Sequence, residues 1–501
     1  MKLIKKYFIF ILPAFILLGG CEKLLDRKPL TATLDDLSQG NIEGQIFGLY
    51  ATIKDYDNGH SFSGLAWLAF HNFRSDDSEK GSDLTDGAEW SGIYDNFNYS
   101  KDFWGQNLYW DEHYRMIFNA NKILQIADSL KLADDASDVF RAEAKFFRAF
   151  CYFDMVRTFG QVPLITQRIY TNNDANKPKA TIDDIYKLID ADLDFGIAHL
   201  PLSWAANYKG RASKGAAESL KARTLLHRQQ WAPALALCNA VISSGQYSLY
   251  PQFWDIFKET GKNCSESIFE FQNENGPNKT DDYGSWYGTS QGVRGVTADD
   301  WNLGWGWNTP TQDLVDAFEP GDVRKASSIL FTGQSDDPQH GGYGRRLPDI
   351  APASNLVRKY WNKKVYADPA KRRSTGYLDG AYWVQQQILR YSDVLLMAAE
   401  AENETSGPTQ TAIDRVNMVR KRAELGEIKP TTKNDFRKAI KQERRVEFAL
   451  EGHRFYDLVR WGDAESVLGS LGYKPKNKYY PLPQTVVDKS NGVLIQNPDY
   501  N

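Results

Sequence analysis

The chain has 501 residues, 42% hydrophobic and 13% aromatic, and its 60 Lys and Arg nearly balance its 64 Asp and Glu for a formal net charge of -4. Charges of both signs are interspersed, which excludes a basic nucleic-acid-binding surface as the organising feature. The length excludes one small domain and supplies a large core, expected as two intimately joined lobes.

Lys2, Lys5 and Lys6 precede an apolar run over residues 7–18 and the small pair Gly19-Gly20. That order is the layout of a secretory signal. The run is too short to cross a hydrocarbon core of roughly 30 Å, which needs a helix of about 20 residues. Cys21 stands where the cut belongs, so Leu18-Gly19-Gly20-Cys21 reads as a bacterial lipobox. Residues 1–20 are then a lipoprotein signal peptide, and Cys21 is the acylated start of the exported chain. An ordinary signal peptide that happens to carry a cysteine is the plainer alternative. No second apolar stretch approaches membrane-spanning length.

Helical periodicity dominates the exported chain. Val139, Ala142, Phe146, Ala149, Phe153 and Val156 recur at spacings of three or four, with Arg141, Lys145 and Arg148 on another face. This helix is expected to stop before Gly160. Ser213 is a suitable N-cap for a helix over 214–229. Pro233 is placed as the first residue of a second helix, whose apolar stripe ends at Gly245. The pair spans about 34 residues and resembles a tetratricopeptide repeat. Further on, the pattern predicts helices over 388–404, from Pro408 to Gly426, and over 434–461 with an interruption at Gly452. Helix pairs of this kind cannot bury their faces alone and are expected to stack into a curved layer.

The middle is different. Residues 273–310 and 332–353 are rich in Gly, Asn, Asp and Pro with little period, and the first stretch interleaves aromatics. Loops this long in a folded protein are usually functional, and aromatics argue against disorder. Besides Cys21 there are Cys151, Cys238 and Cys264, without metal-type or redox-type spacing, read as small core residues with at most one disulfide.

Three signatures and the tail carry a resemblance. The first is Arg141-Ala-Glu-Ala-Lys-Phe-Phe-Arg-Ala-Phe-Cys-Tyr-Phe-Asp-Met-Val-Arg-Thr-Phe-Gly-Gln-Val-Pro-Leu164. The second is Arg390-Tyr-Ser-Asp-Val-Leu-Leu-Met-Ala-Ala-Glu-Ala401. The third is Glu443-Arg-Arg-Val-Glu-Phe-Ala-Leu-Glu-Gly-His-Arg-Phe-Tyr-Asp-Leu-Val-Arg-Trp461, and the chain closes with Gln496-Asn-Pro-Asp-Tyr500. Together they resemble the SusD/RagB family of Bacteroidota outer-membrane lipoproteins over nearly the whole exported chain. The resemblance implies an all-α dominated fold, in which tetratricopeptide-like helix pairs form a curved scaffold under a loop-rich ligand-binding lobe. Within a single SusD-like domain over 21–501, the helical N-terminal part is expected to reach about residue 270. The loop-rich middle would run over about 271–385, and the C-terminal helices and tail over about 386–501. It further implies a lipid-anchored protein of the outer membrane, exposed at the cell surface. Such a protein captures oligosaccharides or other nutrients for a SusC-like TonB-dependent transporter, without catalysis or cofactor.

Charged residues in the third signature, Glu443, Arg445, Glu447, Glu451, Arg454, Asp457 and Arg460, invite an acid/base reading. Their three- and four-residue spacings favour instead an ion-pair lattice clamping two helices and the turn at Gly452. The seven His are scattered, with no pair at helical zinc spacing. There is no Gly-x-Ser-x-Gly elbow and no phosphate-binding glycine loop. No metal or catalytic residue is therefore assigned. A lipid-anchored glycoside hydrolase stays open, because two carboxylates suffice for that chemistry.

Half of the 14 Trp fall in two windows. Flat aromatic rings suit the C–H face of a sugar, and Asn, Asp and Arg suit its hydroxyls. The first window contributes Arg74, Asp76, Trp90 and Tyr94 as candidate ligand contacts, and the second Trp286, Tyr287 and Trp301. Trp110, Tyr114 and Ile117 have helical spacing and read as core. Trp307 to Pro310 read as the entry to a helix near residue 311. A transporter-docking lid with little ligand affinity is the alternative in which these aromatics only pin loops down.

Overall fold

Several helices begin where the chain supplies a side-chain cap. In this computed structural model, which describes residues 42–53, 62, 64–131, 134–274, 285–295, 301–349, 355–375 and 383–500, α1 is Ile42–Thr52 and α2 is Trp104–Ser129. Cys21 and the lipobox lie outside the described residues. The helix α3 (Asp135–Phe159) starts at Asp134, whose carboxylate accepts the Ser137 N–H at 2.7 Å, and ends at Gly160 as expected. Thr181 and Ser213 cap α4 (Ile182–His199) and α5 (Lys214–His227) in the same way. The helix α6 is Trp231–Ser243, so Pro233 stands inside the first turn rather than opening it. That placement costs no hydrogen bond, because the first turn's N–H groups have no intrahelical partner.

The C-terminal helices are α7 (Tyr391–Ser406), α8 (Gln410–Arg422, capped by Thr409), α9 (Lys433–Glu447) and α10 (Arg454–Trp461). The expected helix start at residue 388 is corrected: residues 386–390 form a strand. Its backbone pairs with the strand Ser267–Phe271, whose Phe269 packs edge-on against Phe146 of α3 at 5.0 Å. The interruption between α9 and α10 lies at Gly452, at φ +83 with its Cα close to Trp67 and His71. Only glycine adopts that turn without strain.

Consecutive helices from α1 to α8 pack side by side, and α7 also packs on α9. Each helix buries its stripe on the next, the arrangement of a helical-repeat layer. The central helix α3 is buried nearly all round from Ala142 to Phe159, with Arg148 and Lys145 turned onto Asp192 of α4 at 2.7 and 3.1 Å. Among the described residues the sheets are two-stranded and antiparallel: β1 (Ser78–Gly81) with β3 (Trp307–Pro310), β2 (Ser267–Phe271) with β6 (Gln386–Arg390), and β4 (Ile329–Phe331) with β5 (Tyr360–Asn362). Residues 307–310, expected only as a helix entry, are thus a strand, and Thr311 behind them caps a short helix. Cys151, Cys238 and Cys264 are free thiols.

The charged third signature forms the ion-pair lattice. Glu447 meets Arg390, Arg422 and Arg324 at 2.8, 2.6 and 3.0 Å. Glu451 meets Lys364 and Arg390 at 2.6 and 2.9 Å, and Glu443 meets Arg324 at 2.6 Å. Arg444 bridges Asp393 and Asp457, and Arg460 reaches Glu400. Nearly all of these groups are buried and paired with opposite charges. The lattice extends to the first aromatic window through Arg454 on Asp76 and Arg445 on Asp77 at 2.8 and 2.6 Å.

Candidate functional site

The two aromatic windows are far apart in sequence, and the β1–β3 ladder joins them. Ser78 pairs with Pro310, Glu79 with Thr309 and Gly81 with Trp307. Gly81 has φ +70, and a Cβ there would lie 2.2 Å from Thr309 Oγ1, so glycine is required for the strands to close. Beyond it the loop 82–87 folds on itself. Asp83 Oδ1 accepts the Thr85 and Asp86 N–H groups, each at 2.9 Å, and the Thr85 hydroxyl at 2.7 Å. These bonds, those from Thr85 foremost, hold the Asp83 carboxyl down at about 2, so it is ionised at neutral pH. Asp86 Oδ2 accepts from Ser82 Oγ, Trp307 Nε1 and Arg294 Nη1 at 2.8, 2.9 and 2.8 Å. Arg294 also reaches Asp83 Oδ2 at 3.0 Å, clamping the second window onto the first.

Beside this clamp lies a pair of half-buried rings. Trp286 and Trp305 stack with centroids 4.6 Å apart and planes inclined at 36°. Trp305 is held by its N–H to Thr289 O at 2.9 Å, and its carbonyl faces Arg294 Nη1 at 3.5 Å. The Arg294 side chain keeps 32% exposure, so donors remain open to solvent. On the far side of Trp307, a run of edge-on contacts passes through Trp90 to Trp104, which is 48% exposed. Rings for C–H faces thus border a fixed Arg and two carboxylates for hydroxyls, a set suited to a polyol chain.

The expected contacts are redistributed. Trp90 and Tyr94 are core: they stack on each other at 5.6 Å, and Tyr94 stacks on Tyr480. Trp301 is fully buried, parallel to Tyr366 at 5.4 Å, with its N–H donated to Arg346 O. Arg74 is fully buried under Phe455, donating to Phe70 O and to the Tyr456 hydroxyl. Asp76 is committed to Arg454, and Tyr287 is buried beneath the surface. In this structure these six side chains are buried, and Arg74 and Asp76 are engaged by protein partners. Trp286 alone of the seven presents part of a ring. Sequence reasoning placed Arg294 and Trp305 in the second window but did not single out Asp83 and Asp86. The Asp83-Leu-Thr-Asp-Gly87 stretch carried an Asx-turn signal. Nothing local separates half-buried Trp305 from fully buried Trp301.

A layer of paired helices carrying a ring-and-arginine face defines a protein of the helical-repeat class. Two family profiles match the chain, one described as SusD family over residues 265–478 and one as starch-binding associating with outer membrane over residues 60–226. The chain belongs to the SusD/RagB family. SusD-like protein P25 of Formosa agariphila is 27% identical over 91% of this chain and 89% of its own length. Among solved structures, a laminarin binding SusD-like protein superposes with a TM-score of 0.75 at 27% identity, covering 92% of this chain and 99% of its own. Surface glycan-binding protein A from Bacteroides fluxus gives 0.74 at 26% identity, covering 92% and 99%.

Proposed function

We propose that this protein binds glycan chains at the cell surface and passes them, uncleaved, to a SusC-like TonB-dependent transporter in the outer membrane. The observation that carries the reading is the half-buried Trp286–Trp305 pair held beside Arg294, Asp83 and Asp86. Support comes from the starch-binding, outer-membrane description of one matching profile and from the laminarin and surface-glycan binding of the two structural relatives. Cys21 is the proposed point of lipid attachment. No helix among the described residues is long and apolar enough to cross a membrane, so a lipid would supply the anchor. A rigid aromatic face gives modest affinity, and tethering beside the transporter raises the effective concentration.

Affinity electrophoresis through gels containing laminarin, starch or xyloglucan tests this. Retardation by at least one glucan, abolished by the double variant Trp286→Ala with Trp305→Ala, is the expected result. Retardation unchanged in that variant would overturn the site. A second reading, a transporter-docking lid with little affinity, is favoured by the burial of Trp90, Tyr94 and Trp301. Under it, no glycan retards the protein, yet its deletion still stops import.

A further inference from the structure

A separate pocket of about 290 Å³ shares no residue with the Trp286–Trp305 face. Its walls come from the turns Phe253–Phe257 and Glu259–Gly261, the turn at Pro338–His340, residues 366–368 and residues 383–385. One wall is Trp254, half-buried and fixed by the ring of His340, which meets it edge-on at 5.0 Å. His340 is itself held by Asp337 at 2.6 Å. The floor is Lys258, whose ammonium donates to Tyr366 O at 3.0 Å and lies 4.6 and 5.3 Å from the Tyr343 and Tyr366 ring centres.

The polar groups of this pocket are almost all committed. Glu259 is paired with Lys371, Asp368 accepts the Ala370 N–H at 2.8 Å, and Gln385 bonds Asn273 and Trp383 O. Asp255 is half-buried and makes no side-chain hydrogen bond or ion pair among the described residues. A carboxylate withdrawn from water without a partner costs stability, and burial raises its proton affinity accordingly. Lys258 uses one of its three protons on Tyr366 O, and burial followed by the charge of Lys363 lowers it to about 7. An aromatic wall, one uncommitted acceptor and spare donors match a ring that carries adjacent hydroxyls. The volume sits at the lower end for ligand sites, which run from about 300 Å³ upward, and therefore suits one sugar ring rather than a chain. Three carboxylates, Asp255, Glu259 and Asp368, line the pocket with one lysine, Lys258, which disfavours sulfated or uronate rings.

We propose that this pocket is a second carbohydrate site that takes a single neutral pyranose residue, stacked on Trp254 with its hydroxyls held by Asp255 and Lys258. The choice of ligand class rests on the glycan reading above; the site does not depend on the Trp286–Trp305 face. Saturation-transfer difference NMR on the whole exported chain tests it, with methyl β-glucoside, methyl β-galactoside and methyl α-mannoside as probes and methyl glucuronide and glucosamine as charged controls. At least one neutral glycoside should give a signal that falls about five-fold or more in Trp254→Ala and in the isosteric Asp255→Asn. The same signal should persist in the Trp286→Ala, Trp305→Ala double variant, with thermal midpoints confirming that every variant is folded. No signal from any neutral glycoside, a signal surviving both Trp254→Ala and Asp255→Asn, or a stronger signal from either charged control would overturn the proposal. Failure here with polysaccharide retardation intact would refute only this pocket. Loss of polysaccharide binding with the NMR signal intact would refute only the larger face.

Discussion

Glu447 is buried among three guanidiniums, and Asp393 lies between Arg444 and Arg223. Such charges are tolerated only in company. Replacing Glu447 with Gln leaves three arginines short of a counter-charge, a loss of about 3–5 kcal/mol expected from breaking a buried pair. Urea unfolding measures it; a loss under about 1 kcal/mol would contradict the lattice as described. Burial by itself raises the Asp393 and Asp457 carboxyls, but Arg444 with Arg223 on one and with Arg460 on the other outweighs it, leaving both well below the usual carboxylate range. A depressed folded-state value contributes stability that is fully present above the unfolded value of about 4 and is lost as pH falls below it. Unfolding free energy should therefore drop as pH goes from about 4 toward 2, and Asp393→Asn should lack its share of that slope. An unchanged slope would sink the assignment. The lattice was legible because its spacings of three and four set carboxylates and arginines on shared helix flanks. Its partners Arg324, Lys364 and Asp76 were not, since nothing local links segments more than 70 residues away.

At the scale of elements, the β1–β3 ladder converts two distant windows into one face. Gly81→Ala forces a Cβ against Thr309 in a left-handed backbone conformation, a strain of about 1–3 kcal/mol. Because the loop carrying Asp83 and Asp86 leaves the strand there, the substitution should weaken glycan binding about ten-fold while the helical layer stays folded. Circular dichroism with titration calorimetry checks both, and wild-type affinity in folded Gly81→Ala would contradict the role of the ladder. The helices were read closely, caps included, since Ser213, Gly160 and Gly452 act through local backbone geometry. Residues 388–390 of the last strand were read as the start of a helix because the strand's five residues are buried on both faces and show no alternation to mark it.

At the scale of the whole molecule, a stack of helix pairs supports a half-buried patch of rings and, elsewhere, a separate pocket of about 290 Å³. The stack was legible because its pattern of helix pairs recurs at both ends of the chain. Ligand contacts were not, because a loop rich in Trp uses some rings to seal its own core and others to face solvent, as Trp301 and Trp305 do four residues apart. The anchor belongs to this scale too. Cys21→Ala should abolish incorporation of labelled palmitate and release the protein from the membrane fraction; retention of both would contradict a lipid at that residue. The central claim is that the Trp286–Trp305 pair beside Arg294 binds glycan. Isothermal titration of the exported chain with laminarin oligosaccharides, comparing wild type with the Trp286→Ala, Trp305→Ala double variant at matched thermal midpoint, measures it most directly. Binding by the wild type and a loss of at least about 50-fold in the variant, roughly 2.3 kcal/mol, is the expected result. Equal affinity in the two would contradict it.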